Sequence, residues 1–484
     1  MKILFIISEI EGIVKTGGLA DFARALPWAL KKKQHDVRVV LPKYGNVQYP
    51  FFEDSRSVSF MLNHVTWYGC QIFHATLDGI MLRLIEHHDF FSRDGLYDNG
   101  YTAYPDNSLR FAFFCKAALE LCLQEGWVPD IVHCNDWQTA LAAFYLKAHY
   151  SHDPALRHTR SVLTVHNGAF QGETEARWLD RMGIPWDRFA NGQVEHNGLV
   201  NLLKCGILSA DKINTVSSGY AKELLSEDTS HGLRHYYNER KNDFTGVLNG
   251  CDYSMWDPGK DTYLPHTFSA DNLKGKQLCK TSLQKRMGLV EQKDIPLFGM
   301  VSRLTDQKGF EYLIPAMEHV LNQDHPVQFA LLGSGDPVYA SRLHHLQNRH
   351  LGKMSFVNGY DVGLTHLIEA GSDFFMMPSL FEPCGLNQLY SLAYGTLPVI
   401  RSTGGLKDTV VALKHDFCNA DQATGIDFSD PDPFYCGEAI ERALLLFIKH
   451  KNVYDRLQQT AMRQLFTWDT SAAAYEKLYQ KAFE

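Results

Sequence analysis

Lys15-Thr16-Gly17-Gly18-Leu19-Ala20-Asp21 lies between a short apolar run and a helical pattern. Gly17 and Gly18 let the backbone come close to a ligand. The helix start behind them offers unpaired N–H groups and partial positive charge to an anion, and Lys15 adds a mobile full charge. Asp21 suits a hydroxyl hydrogen bond or a helix cap, and a tight turn with a capped helix accounts for the same residues. Arg303-Leu304-Thr305-Asp306-Gln307-Lys308-Gly309 puts a guanidinium and an ammonium into one strand-to-helix loop. That pairing suits a pyrophosphate without a divalent metal, although basic loop residues are commonly just solvated. In Pro378-Ser379-Leu380-Phe381-Glu382-Pro383-Cys384-Gly385-Leu386, Cys384, Gly385 and Leu386 can present backbone N–H groups to a phosphate while Glu382 grips sugar hydroxyls. The plainer reading is a carboxylate offsetting a helix dipole and a packed thiol.

Thr164-Val165-His166-Asn167 and His133-Cys134-Asn135-Asp136-Trp137 each close a strand-like run. A lone His there is more often structural than catalytic. His133 and Asp136 have no further ligands at metal-site spacing. Asp430-Pro431-Asp432, the only D-x-D, reads as a Pro-rich turn. No metal site is expected. The Lys15 loop is not a Walker A loop, and Gly333-Ser334-Gly335 is only part of a dinucleotide fingerprint.

The elements that position these loops alternate. Residues 3–7, 37–41, 81–85, 131–134, 162–165 and 213–216 read as buried strands, with helical patterns at 21–33, 108–124 and 139–149. A second series begins near residue 296, with strands at 297–301, 328–332, 374–377 and 397–400. Alternating strands and helices predict parallel sheets, here two doubly wound α/β domains whose ligands lie beyond the carboxyl ends of the strands. Residues 251–273 are rich in Asp, Pro, Gly and Ser, lack periodicity, and mark the expected boundary.

Composition narrows the function. Of 484 residues, 45% are hydrophobic and 21% charged, which excludes disordered and collagen-like chains. The net charge of −8 argues against a general nucleic-acid binder while leaving room for a basic pocket. The ten cysteines contain no C-x-x-C, the nearest pair being Cys115 and Cys122, and read as reduced buried thiols of a cytoplasmic protein. The apolar run at 3–7 is too short for a signal peptide, and no segment approaches a membrane span.

In order and spacing these segments resemble the bacterial glycogen synthases, ADP-glucose-dependent relatives of plant starch synthases in glycosyltransferase family 5. The Lys15 loop is similar to K-[TV]-G-G-L-[AG]-D, 133–137 to H-x-[HN]-D-W, 164–167 to T-[IV]-H-N, and 248–250 to [IL]-N-G. Residues 303–309 resemble R-L-x-x-Q-K-G, 381–386 F-E-P-C-G-L, 403–406 T-G-G-L, and 466–468 F-[ST]-W. The resemblance implies a GT-B fold, two Rossmann-like domains facing a deep cleft. Residues 1–245 would bind the growing glucan and 246–464 the nucleotide, with a last helix in 465–484 crossing back to the first domain.

The implied activity is retaining transfer of glucose from ADP-glucose to the non-reducing end of an α-1,4-glucan such as glycogen, without metal or other cofactor. Lys15, His166, Arg303, Lys308 and Glu382 would be catalytic. Gly17, Gly18, Asp21, Asp136, Asn167, Asn249, Tyr360, Cys384, Gly385 and Leu386 would bind substrate. Lys15 and the Gly17-Gly18 turn would hold phosphates, Arg303 and Lys308 would neutralise the departing ADP, and Tyr360 would stack on adenine. His166 would contact the sugar near the anomeric carbon, and Glu382 and Asn249 its hydroxyls. No nucleic-acid or membrane partner is implied, and a homo-oligomer is left open. Three residues depart from the pattern. Tyr390 replaces the second Glu of the E-x7-E motif of animal and fungal glycogen synthases, Asn387 stands where Thr is usual, and Val362 where an acidic residue is common. The competing readings are another retaining GT-B glucosyltransferase using UDP-glucose or a small acceptor, a non-catalytic glucan-binding protein, and an NAD-dependent oxidoreductase.

Overall fold

The computed structural model describes residues 1–45, 47–49, 52–63, 65–226, 229–323 and 325–484. The chain divides into two compact units, Met1–Asn249 with Trp468–Glu484, and Gly250–Thr467. The sequence reading drew its lines at 245 and 464.

Unit 1 is built on nine strands: β1 (Lys2–Ile6), β2 (Asp36–Pro42), β3 (Asp54–Met61), β4 (Trp67–Leu77), β5 (Ile80–Glu86), β6 (Ile131–Asn135), β7 (Arg160–Val165), β11 (Lys212–Thr215) and β12 (Phe244–Gly246). Their order is β12-β11-β7-β6-β1-β2-β5-β4-β3. A small antiparallel sheet of β8 (Glu173–Thr174), β9 (Glu195–His196) and β10 (Leu199–Asn201) stands apart. In β1, Leu4 and Ile6 enter one core cluster while Ile3 and Phe5 enter another. Both faces are therefore buried, which is why the run reads as continuously apolar.

The expected wholly parallel sheet is corrected at one edge, where β3 pairs antiparallel with β4, and β4 with β5. Six of the eight residues of β3 are exposed, with only Val58 and Phe60 buried, so no apolar run announces the strand. The helix Trp468–Lys481 belongs to unit 1. Its Tyr475 and Tyr479 are buried in the cluster around β1, where Tyr475 Oη accepts from Asn214 Nδ2 at 2.9 Å.

Unit 2 has six parallel strands: β13 (Leu297–Val301), β14 (Gln328–Gly333), β15 (Met354–Asn358), β16 (Phe374–Met377), β17 (Leu397–Arg401) and β18 (Ile426–Phe428), in the order β15-β14-β13-β16-β17-β18. Residues 251–273 begin unit 2 immediately after the boundary at Asn249–Gly250. Their composition serves a chain of Asx turns, in which Asp252, Asp257 and Asp261 accept from the N–H groups of Ser254, Gly259 and Tyr263 at 2.8–2.9 Å. Cys251 N donates to Phe466 O at 2.7 Å, so the two chain segments that connect the units run side by side. Nine cysteines are buried as expected, and Cys418 is exposed. Among the described residues no helix is long and apolar enough to cross a membrane.

Candidate active site

In each sheet the strand order reverses beside the first strand of its series, between β6 and β1 in unit 1 and between β13 and β16 in unit 2. Loops leaving adjacent strands in opposite directions open a crevice there. Most of the sequence-selected residues sit on those loops, while His166 and Asn167 follow β7, Asn249 follows β12 and Tyr360 follows β15.

In unit 1, the chain after β1 buries Glu9, whose carboxylate accepts from Thr16 N at 2.5 Å, Thr16 Oγ1 at 2.6 Å and Tyr97 Oη at 2.7 Å. This clamp fixes the Lys15 loop, and sequence reasoning missed it because Glu9 carries no motif spacing. Lys15 is not the mobile charge expected. It pairs with Asp21 and Glu11, each at 2.7 Å. Burial opposes its charge, but the two carboxylates outweigh that and raise its pKa; burial likewise raises that of Asp21. Asp21 is thus an ion-pair partner, and Gly17 caps the helix Gly18–Lys32 without a side-chain bond. Gly17 is extended and a Cβ on it would meet nothing within 4 Å, so the protein's own packing does not call for glycine there.

β6 is followed directly by Asp136, which opens the helix Asp136–Ala148 and is a non-glycine residue at φ +54°. Its Oδ1 accepts from His166 N at 2.6 Å, tying the end of β7 to that of β6, with Asn167 N farther off at 3.4 Å. Burial pushes this carboxyl up to about 7, against the pull of the two N–H groups. His166 stands edge-on to Phe22, 4.5 Å between ring centres, with Nε2 3.0 Å from Asn135 Oδ1. The Asn135 amide nitrogen is engaged by the Ile6 and His133 carbonyls, so its oxygen faces the imidazole. Nε2 therefore carries the proton and Nδ1 is left an acceptor. Burial pushes His166 down to about 3 and keeps it neutral. His133 is structural, bonded to Tyr479 and Thr164. Asn167 closes an Asx turn, accepting from Ala169 N at 3.0 Å. Asn249 is buried, and its Oδ1 has no partner among the described residues.

Unit 1 also holds a cavity of about 600 Å³ whose wall includes Tyr104, Asn107, Trp137, Phe170, Gln171 and Glu173. Gly172 at φ +64° runs its backbone over the Trp137 indole, where a Cβ would lie 2.4 Å from Cε3. Trp137 stood in a recognised motif without a role, and the rest of this wall carried no sequence signal.

In unit 2, a cavity of about 170 Å³ is lined by Arg303 and Lys308 from the loop after β13, and by Glu382, Gly385 and Leu386 from the loop after β16. Lys308 Nζ donates to Glu382 Oε2 at 2.5 Å, and Ser379 Oγ to the same oxygen at 2.8 Å. Arg303 is exposed, and its guanidinium has no partner among the described residues. Leu380 N donates to Gln307 O at 2.8 Å, lacing the two loops together. Cys384 is buried. Tyr360 follows β15 with 83% of its surface exposed. Asn387 Nδ2 donates to Val301 O at 2.8 Å, so this departure from the pattern ties the end of β13 to the helix Asn387–Ala393. Tyr390 lies flat against Trp256, 3.8 Å between ring centres, and Trp256 in turn against His366 at 4.1 Å. Among the described residues no group of three or more His, Cys, Asp or Glu side chains is placed to hold a metal ion.

Residues 2–239 match the starch synthase catalytic domain family and residues 283–461 the glycosyl transferases group 1 family. Glycogen synthase of Aeromonas hydrophila is 46% identical, over 100% of this chain and 98% of the relative. That of Aliivibrio fischeri strain MJ11 is 42% identical, over 99% and 98%. Among solved structures, the catalytic domain of starch synthase IV from Arabidopsis thaliana bound to ADP and acarbose superposes with a TM-score of 0.90 at 33% identity, covering 100% of this chain and 99% of that one. With both switch-point loops furnished as described and full-length likeness at this level, the chain belongs to the glycogen and starch synthase family of GT-B glycosyltransferases.

Proposed function

We propose that the chain transfers glucose, with retention, from ADP-glucose to the non-reducing end of an α-1,4-glucan and releases ADP. The observation that carries this reading is the unit 2 cavity, where Arg303 and Lys308 stand with the 384–386 loop at the carboxyl ends of β13 and β16. A cavity furnished this way suits a diphosphate. Breaking the bond between C1 and the phosphate oxygen puts negative charge on the leaving ADP and oxocarbenium character on the sugar. Cations held in advance lower that barrier with little reorganisation. Lys308, anchored by Glu382, is fixed for this role, and Arg303 is free to swing onto the phosphates. Neutral His166 offers Nδ1 to a sugar hydroxyl without adding positive charge near the forming oxocarbenium. The large unit 1 cavity, floored by Trp137, suits the flat faces of glucosyl units. The Aeromonas and Aliivibrio relatives are glycogen synthases by name, and the Arabidopsis starch synthase was solved with ADP and acarbose bound.

The test is incorporation of labelled glucose into glycogen with ADP-glucose and UDP-glucose side by side, in EDTA. Incorporation from ADP-glucose, undiminished by the chelator, is expected. Preference for UDP-glucose would overturn the donor assignment, and abolition by EDTA the metal-free scheme.

A further inference from the structure

Gln388 lies behind the 384–386 loop and is fully buried. Its Nε2 donates to Cys384 O and Gly385 O, each at 3.0 Å, and to Thr409 Oγ1 at 3.2 Å. Three oxygen acceptors around one atom fix which end of the amide points inward. Thr409 Oγ1 in turn donates to Gly405 O at 2.7 Å, and Gly405 N donates to Glu382 O at 2.9 Å. The Thr403-Gly404-Gly405-Leu406 motif, which the proposed chemistry leaves without a task, is thereby built into the same support.

The consequence is one of peptide geometry. In a trans peptide the N–H points opposite to the C=O. With the carbonyls of Cys384 and Gly385 drawn inward onto Gln388, the N–H groups of Gly385 and Leu386 turn to the other side, the side of the cavity those two residues line. Gly385 is left-handed at φ +72° and Leu386 right-handed at φ −119°, ψ −35°. Successive residues of opposite hand make a concave pair of N–H donors that receives an anion. Among the described residues neither N–H has an acceptor of its own.

We infer that Gln388 is a positioning residue for the reaction: by holding two carbonyls it aims the Gly385 and Leu386 amides at the distal phosphate of the nucleotide. The inference rests on the phosphate reading of this loop given above. It is tested by comparing ADP and AMP as inhibitors of glucose transfer in the wild type, Gln388→Met and Thr409→Val, with thermal melts of each. The Met side chain keeps the volume and loses the donors.

The wild type is expected to bind ADP more tightly than AMP. In Gln388→Met, ADP inhibition should weaken by about tenfold, the scale of one hydrogen bond to a charged group, while AMP stays within about twofold. Thr409→Val should shift ADP in the same direction by less, and it decides the matter if the Met variant does not fold. A wild type that does not distinguish ADP from AMP overturns the phosphate reading itself. A wild type that does, with a Gln388→Met variant that keeps the full preference or loses both ligands equally, overturns the positioning role alone.

Discussion

Replacing Lys308 by Ala separates two effects that the structure superimposes on one side chain. The ammonium faces the unit 2 cavity and also neutralises Glu382, whose carboxylate is only 9% exposed. Removing it leaves that carboxylate with Ser379 alone. Breaking a buried pair costs about 3–5 kcal/mol, and the partial exposure of Lys308 puts this one near ~3. At about 2–4 °C per kcal/mol for a unit of this size, Tm should fall by roughly 6–12 °C. The chemical loss is distinct. An electrostatic stabiliser of a leaving group is worth about 10²-fold in kcat, or ~2.7 kcal/mol. A double-mutant cycle with Glu382→Gln divides the two, since the neutral amide no longer needs a cation. In the Glu382→Gln background the lysine substitution should cost little Tm and still lower kcat by about 10²-fold. The assay is initial-rate glucose transfer at saturating ADP-glucose alongside thermal melts of all four proteins. If Lys308→Ala leaves the kcat of Glu382→Gln unchanged, the lysine serves only as a structural counter-ion and the leaving-group argument fails.

Two further outcomes follow from unit 1. Burial lifts the Asp136 carboxyl from 3.8 to about 7, so the folded chain holds a proton that the unfolded chain has released. The associated stability is fully present below the unfolded value and is lost as pH rises through about 7. The Tm of ligand-free wild type relative to Asp136→Asn should therefore fall between pH 5 and pH 8, the range being chosen to bracket that transition at roughly pH 7; a constant difference would refute the assigned shift. Gly172→Ala forces a Cβ toward the Trp137 ring from a left-handed backbone and should tilt the floor of the large cavity. The KM for glycogen should rise by about tenfold, a loss of ~1.4 kcal/mol, with the KM for ADP-glucose unchanged; equal changes in both would separate the cavity from the glucan.

Most of the parallel strands were legible because burial on both faces writes itself as unbroken apolar runs, as in β1 and β16; β12, β15 and β18, which are short or partly exposed, were not. The β3–β4 ribbon was not, because one wet face interrupts its pattern. The loop residues selected as candidates stood out through unusual local chemistry, cations beside glycines and a carboxylate beside Pro-Cys-Gly. The residues that hold those loops did not. Glu9 and Gln388 act on backbone atoms that only the folded chain brings to them, and no spacing in one sequence encodes a contact with a carbonyl or an N–H. The same limit explains Lys15, whose ion pair with Asp21 depends on the turn between them rather than on either residue type.

Tyr390 shows what fills the position of the second Glu of E-x7-E. Here the position is filled by a ring pressed flat against Trp256, which is itself held by His366, and His366 by Asp261 at 2.7 Å. The stack leaves no room for a solvated charge, and burying one there would meet the desolvation cost without a cation to match it. Among the described residues Glu382 is then the single carboxylate lining the cavity against two cations, one of which it anchors. The uncompensated guanidinium of Arg303 gives the cavity a net positive balance, and a departing diphosphate gaining charge is the species that balance favours.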